Sequence, residues 1–207
     1  MTATRQLFGR SAPQKIRCGP GGRPPTVTGM ELRPEEAADH DAVHDVHRQA
    51  FGDDGEHVAT LTRDLRGLLS PTSGLSLVAV ENDKVVGHVL FTRSILDAPE
   101  RLVDVLVLSP VGVLPAHQRS GVGTALITRG LELADEQGAP LVFLEGSPGY
   151  YPRFGFEPGE PLGFRKPSLR IPDAAFQVRR LSGYDQAMTG TLVYSEIFWR
   201  HDAVGLR

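Results

Sequence analysis

The feature that most constrains this chain is a strand-like run that ends at a proline and passes, through two glycines, into an amphipathic helix. Residues 102–113 are rich in Val and Leu and stop at Leu114-Pro115, where proline removes a ladder donor. From residue 121 to 137, Val122, Leu126, Gly130, Leu133 and Ala134 recur at helical spacing, and Gly138 followed by Pro140 supplies the stop. Between strand and helix stands Gln118-Arg119-Ser120-Gly121-Val122-Gly123-Thr124-Ala125. A helix start has unpaired N–H groups and the positive end of the helix dipole, and glycines let an anion approach them closely. A diphosphate fits such a place.

Spacing tests the rival phosphate motifs. A P-loop needs Lys followed by Ser or Thr after its second glycine, whereas Gly123 is followed by Thr124-Ala125. A dinucleotide fingerprint needs a third Gly or Ala where Leu126 stands, and an acidic residue for the ribose that does not follow. What remains, Gln118-x-x-Gly121-x-Gly123 after Val113-Leu114-Pro115, resembles the acetyl-coenzyme A signature of the GCN5-related N-acetyltransferases, the GNAT family.

A second motif lies about thirty residues on. Residues 140–145 form a short apolar strand, followed by Tyr150-Tyr151-Pro152-Arg153-Phe154-Gly155-Phe156-Glu157-Pro158. The family carries Tyr-x-x-x-Gly-Phe on a helix after its fifth strand, and Tyr151 with Gly155-Phe156 matches it. The same stretch resembles a YhbS-like bacterial branch of that family. The resemblance covers residues 28–207, weakening after Gly159. It implies an α/β (α+β) acyl-coenzyme A acyltransferase fold: a mixed, mostly antiparallel central sheet flanked by helices and splayed between strands 4 and 5.

The coarse element order agrees. A strand over 27–32 leads to a helix opened by Pro34-Glu35-Glu36 with Val43, Val46 and Ala50 inward, and a second helix fits 56–69 before Pro71 and Gly74. Strands over 75–81 and 84–94 flank the turn Asn82-Asp83 and form a hairpin, continued by 102–113. Further strands are expected near 176–181 and 190–194.

Composition sets the outer limits. The 207 residues suit one domain, and the formal net charge is -3. Residues 1–29 hold Arg5, Arg10, Lys15, Arg17 and Arg23 and no acid; 22 Lys and Arg less these five leaves 17 against 25 acids. A folded part that acidic is a poor nucleic-acid binder. Residues 1–27, with Pro13, Pro20, Pro24 and Pro25 among glycines, read as a disordered basic tail ahead of one domain over 28–207; a transit peptide is the lesser alternative. The lone Cys18 makes no internal disulfide, no run is apolar enough for a membrane span, and the cytoplasm is the default compartment.

The resemblance assigns chemistry residue by residue. The end of the fourth strand, Val111, Gly112 and Val113, would pair with pantetheine, and the diphosphate would fall on Gln118, Arg119, Ser120, Gly121, Val122, Gly123 and Thr124. Tyr151 stands where the family places the tyrosine that serves the sulfur, with Tyr150 its competitor and a packed aromatic pair the bland alternative. The asparagine many members carry near the fifth strand is replaced by Leu144-Glu145-Gly146-Ser147-Pro148. Glu145 is therefore the candidate base, against a solvated strand-end carboxylate, with His88, His117 and Glu81 in reserve.

Three other groups have two readings each. His40, His44 and His47 share a helix face and read as a partly exposed polar stripe rather than a metal cluster. Gly52-Asp53-Asp54-Gly55-Glu56 borders the acceptor side in this family, or is a plain polar loop. Arg165, Lys166, Arg170, Arg179 and Arg180 favour an acidic ligand or merely protect a sheet edge.

The expected function is transfer of the acetyl group of acetyl-coenzyme A to a primary amine within a ternary complex. No acetyl-enzyme is expected, since Cys18 lies in the tail, and no metal is required. The acceptor is a small-molecule or peptide amine, with no nucleic-acid or membrane partner and a homodimer as one oligomeric option. The alternative is a non-catalytic acyl-coenzyme A binding or sensing module; a nucleotide-binding protein is disfavoured by the missing lysine.

Overall fold

A computed structural model describes residues 29–70 and 73–205. The expected tail, Cys18, the first residues of the first strand and Pro71 lie outside the described residues. The chain runs β1 (Met30–Pro34), α1 (His40–Ala50), α2 (Gly55–Arg66), β2 (Leu75–Glu81), β3 (Lys84–Asp97), β4 (Leu102–Val113), α3 (Val122–Glu136), β5 (Leu141–Glu145), β6 (Glu157–Pro158), β7 (Phe164–Arg165), β8 (Phe176–Arg180), β9 (Gly190–Val193) and α4 (Glu196–Arg200).

The sheet follows the order β1-β2-β3-β4-β5-β8-β6, while β9 pairs with the far end of β3 and with β7. The β2–β3 hairpin turns at Asn82 and Asp83, both left-handed (φ 49° and 60°), as a two-residue primed turn requires. Most pairings are antiparallel; β4–β5 and β7–β9 are parallel. The mixed, mostly antiparallel sheet expected from the sequence is what forms.

Each face of the sheet buries its own cluster. On one, Val122, Leu126, Ile127, Leu131 and Ala134 of α3 pack on Leu77, Val89, Phe91, Leu106, Val142 and Leu144. On the other, Leu61 and Leu65 of α2 meet Leu90, Val105, Val107, Phe143, Phe176 and Phe198. Alternation along β5 sends Val142 and Leu144 to the first and Leu141 and Phe143 to the second. Burial of each large apolar side chain contributes about 1.5–3 kcal/mol, so α3 is held by its stripe rather than by helix propensity.

Around α1 the structure differs from the sequence reading at one boundary and one buried position, while α2 ends earlier, at Arg66, and β3 runs on to Asp97. Pro34 closes β1 opposite Leu77 instead of opening a helix; a short 3-10 turn, Ala37–Asp39, precedes α1. Proline fits either the first helical turn or an edge strand, and the Arg33–Asp39 pair at 2.6 Å folds the connection back on β1. In α1 the buried positions are Val43, Val46 and His47, while Ala50 is only partly buried.

Candidate active site

The site begins where β4 and β5 part. Their parallel ladder has two register pairs, Leu106 with Val142 and Val107 with Phe143, yet β4 continues to Val113. On the β3 side, Ser109 and Pro110 together face Leu90, a bulge that reverses the alternation of β4. Before it Leu106 and Leu108 face α3; after it Val111 and Val113 do, leaving Gly112 toward α1. Among the described residues no strand pairs with the β5-facing edge of 108–113, which leaves main-chain donors and acceptors for an extended ligand.

That edge leads straight into the glycine loop. Gln118 Nε2 donates to the Val113 carbonyl at 3.1 Å, and Ser120 Oγ donates to the His117 carbonyl at 2.6 Å. His117 is tied to Glu81 at the end of β2, 3.0 Å away, so the start of the loop is anchored to both β2 and β4. Arg119 and Gly121 have φ of 64° and 100°, and Gly121 caps α3. Gly121 is required by its backbone. Gly123 is not: an added Cβ would lie 3.6 Å from the Tyr150 hydroxyl and from Val113, in ordinary contact. What glycine leaves there is open surface beside Thr124, between β4 and Tyr150. Val122 is buried against Gly87, so only its backbone is available to a ligand.

Tyr150 and Tyr151 follow β5. Tyr151 starts the short 3-10 turn Tyr151–Phe154, is 5% exposed, and packs edge-on against Tyr150 and Phe156 at 5.0 and 5.9 Å between centroids. Burial, then the neighbouring Tyr150, push its phenol well above the ordinary value, so it is a neutral O–H at any working pH. An added Cβ at Gly146 would come within 2.2 Å of the Tyr151 ring edge, so that glycine sets how closely the ring lies against the end of β5. Tyr150 carries Arg153 over its ring at 4.6 Å and points its hydroxyl toward the glycine loop.

Glu145, the last residue of β5, lies just past the final β4–β5 pair, on the α2 side with Phe143. It is not a solvated strand end. Its Oε2 accepts the Gly205 N–H at 3.0 Å, and the Tyr194 hydroxyl faces it. Burial raises the carboxyl to about 7 although Tyr194, Gly205 and the more distant Arg170 pull the other way. A carboxyl there takes or gives a proton near neutrality.

The largest feature the sequence concealed lies beneath α1. His47, expected on a partly exposed stripe, is fully buried, as is His88. His47 Nε2 meets His88 Nδ1 at 2.7 Å, His88 Nε2 meets Ser76 Oγ at 2.8 Å, and Ser76 donates to Glu35 at 2.5 Å. Arg66 closes the row with two bonds to Glu35, at 2.6 and 3.0 Å. Because the Ser76 proton goes to Glu35, His88 donates from Nε2 and accepts at Nδ1, and His47 keeps a bare Nδ1. That nitrogen is buried and unpartnered and lies 2.7 Å from where a Cβ of Gly112 would be. Burial holds both imidazoles below their ordinary value. Burial opposes ionisation of Glu35, but His88, Arg66 and Ser76 prevail and keep it well below the carboxylate range. His88, read as a reserve base, is thus a structural member of this row.

The remaining candidates are dispersed. His44 reaches Glu56 at 3.4 Å across α1 and α2, and among the described residues no group of three or more His, Cys, Asp or Glu is placed to hold a metal. The late basic residues are engaged locally: Arg165 with Thr191, Lys166 with Asp173, Arg170 with Asp202 and Arg180 with Glu157. Among the described residues no helix is long and apolar enough to cross a membrane.

An open mixed sheet, a forked β4–β5 pair and an anion-ready helix start below the fork define an acyl-coenzyme A transferase type of scaffold. Comparison with known proteins agrees. A model described as an acetyltransferase (GNAT) domain matches residues 31–159. The uncharacterized N-acetyltransferase YjhQ of Escherichia coli K12 is 34% identical over 171 residues, covering 80% of this chain and 92% of that protein. Among solved structures, the GNAT family N-acetyltransferase YhbS of Escherichia coli, in complex with CoA, superposes with a TM-score of 0.75 at 28% identity, covering 90% of this chain and 100% of the other. A GNAT family acetyltransferase of Brucella melitensis, in complex with acetyl-CoA, gives 0.64 at 30% identity over 82% and 97%. The chain belongs to the GNAT family of acyltransferases.

Proposed function

We propose that this protein transfers the acetyl group of acetyl-coenzyme A to a primary amine, by direct attack within a ternary complex. The observation that carries the proposal is the free edge of β4 leading into the Gly121-capped start of α3. Pantetheine adds to that edge as a strand would, through Val111, Gly112 and Val113, and the diphosphate meets the main chain from Gln118 to Thr124. That YhbS was solved in complex with CoA and the Brucella protein with acetyl-CoA supports acetyl-coenzyme A as the ligand.

The reaction asks for three things. A neutral amine attacks the thioester carbon, forming a C–N bond; a main-chain N–H near Val113 steadies the oxyanion; the C–S bond breaks and the sulfur leaves. Glu145 receives the proton the nitrogen loses, for which a carboxyl near 7 is well matched. Tyr151, held neutral by burial, donates a hydrogen bond to the departing sulfur, which leaves as the thiolate and takes its proton from solvent. The acceptor is a small-molecule or peptide amine, and the setting is the cytoplasm.

Thiol release from acetyl-coenzyme A across a panel of primary amines tests this. Turnover that falls about 10²- to 10⁴-fold in Glu145→Gln supports the acid–base role. Tight binding with no turnover on any amine replaces the proposal with an acyl-coenzyme A binding module.

A further inference from the structure

Glu145 is held by parts of the chain far from it in sequence. Tyr194 follows β9, is 6% exposed, and packs its ring at a tilt against Phe198 of α4, 4.9 Å between centroids. Gly205, beyond α4, has φ of 68°, and an added Cβ would lie 2.6 Å from Arg170 Cβ and 2.7 Å from its carbonyl carbon. The backbone at 205 is therefore pressed against Arg170, and this packing presents the Gly205 N–H to Glu145 Oε2. Ala203 and Val204, both buried, fasten this segment to the α2-side core.

The kind of partner matters as much as the number. A buried carboxylate kept for stability ordinarily faces a cation, as Glu35 faces Arg66 at 2.6 Å. Glu145 instead accepts the neutral Gly205 N–H, with the Tyr194 hydroxyl beside it. The nearest cation, Arg170, is drawn to Asp202 at 3.0 Å, and Lys166 is engaged by Asp173 and the Ile171 carbonyl. Neutral donors fix the position of a carboxyl without locking it as an anion, and that combination suits a group that must gain and lose a proton.

We infer that the Gly205 amide and Tyr194 are positioning groups that hold the Glu145 carboxyl at the opening between β4 and β5, so that the chain on either side of α4 completes the active site. This rests on the reading of Glu145 as the proton acceptor. Tyr194 and Gly205 touch no reacting atom; they act through Glu145. Each stabilises the ionised carboxyl, so loss of either raises the pH at which Glu145 ionises, moving it up from about 7.

The test follows Glu145 directly in the full chain. Carboxyl carbons of 13C-glutamate-labelled protein are titrated by NMR, with Glu145→Gln identifying the resonance. Tyr194→Phe should move the midpoint upward by on the order of one pH unit. Gly205→Pro, which lacks the N–H and adds no charge, should shift it the same way, and serves if Tyr194→Phe does not fold. The acid limb of acetyl-coenzyme A consumption, followed by thiol release, should move with it while KM for acetyl-coenzyme A stays within about twofold. An unmoved midpoint in both variants overturns the inference. If Glu145→Gln retains full transfer, the proton-acceptor reading fails, whatever Tyr194 does; if it is inactive but Tyr194→Phe leaves the acid limb in place, only the positioning role fails.

Discussion

Replacing Gly146 with alanine is the sharpest perturbation of the chemistry that adds only one methyl group. The added Cβ would lie 2.2 Å from Cε2 and 2.6 Å from Cδ2 of the Tyr151 ring and 3.0 Å from Leu144 Cδ1. The ring is rigid and buried on its other side by Tyr150 and Phe156, so it moves by an ångström or more or the β5 terminus does. Overpacking of this kind costs about 1–3 kcal/mol, and at the middle of that range Tm falls by about 4–8 °C for a chain of this length. The functional effect is larger than the loss of stability suggests, because a misplacement of about 1 Å at a reacting centre costs about 10²-fold in rate. Steady-state thiol release and calorimetric acetyl-coenzyme A titration separate the two: kcat falls about 30- to 300-fold, by the same positional argument, while Kd for acetyl-coenzyme A changes little. Wild-type kcat in a variant whose Tm has dropped as stated would refute the placement of Tyr151 at the sulfur.

Other expectations concern the buried row under α1 and the pH dependence of stability. Glu35→Gln or His88→Ala should destabilise by about 3–5 kcal/mol, since each leaves buried polar partners uncompensated, and chemical denaturation reads this directly. Glu35 ionises below its unfolded value, so its stabilisation is present above about pH 4.3 and is lost as pH falls through the folded value; His47 and His88 are held neutral, so folding weakens further as pH drops below about 6.5. Glu145 has the opposite sign: its carboxyl, raised to about 7, favours the folded state below about pH 4.3 and this is lost as pH rises to 7. Glu145→Gln should therefore gain stability relative to wild type between pH 5 and 8, by about 1–3 kcal/mol, and a constant difference would contradict the raised value. Gly112→Val should displace His47, lower Tm and raise KM for acetyl-coenzyme A; an unchanged KM would detach that row from the cofactor strand.

The strands β2 and β4 were legible to the residue, because Val-rich runs bounded by Gly74, Asn82-Asp83 and Pro115 carry both period and punctuation. The glycine loop and the Tyr151 motif were legible too, as local sequence with local geometry. The sequence hid what depends on distant partners. Nothing in the His40, His44, His47 spacing says that α1 turns its last histidine onto Gly112, a position bared only because the bulge at Ser109 and Pro110 reverses β4. Glu145 could be read as a base or as a solvated strand end, because the Gly205 N–H and the Tyr194 hydroxyl that hold it lie 60 and 49 residues further along. Pro34 misled for a simpler reason: proline suits an edge strand and a helix start alike, and the ion pair of Arg33 with Asp39 decided between them.

Calorimetric titration with acetyl-coenzyme A of the wild type and of a Gly121→Glu, Gly123→Glu double variant, both checked for folding, tests the central claim most directly. Added carboxylates at the start of α3 would repel a diphosphate from the left-handed turn at Gly121. Micromolar-range binding by the wild type, lost in the folded variant, is the predicted result. No binding by the wild type, or equal binding by both, would contradict the assignment of the forked β4 edge and its glycine loop to the cofactor.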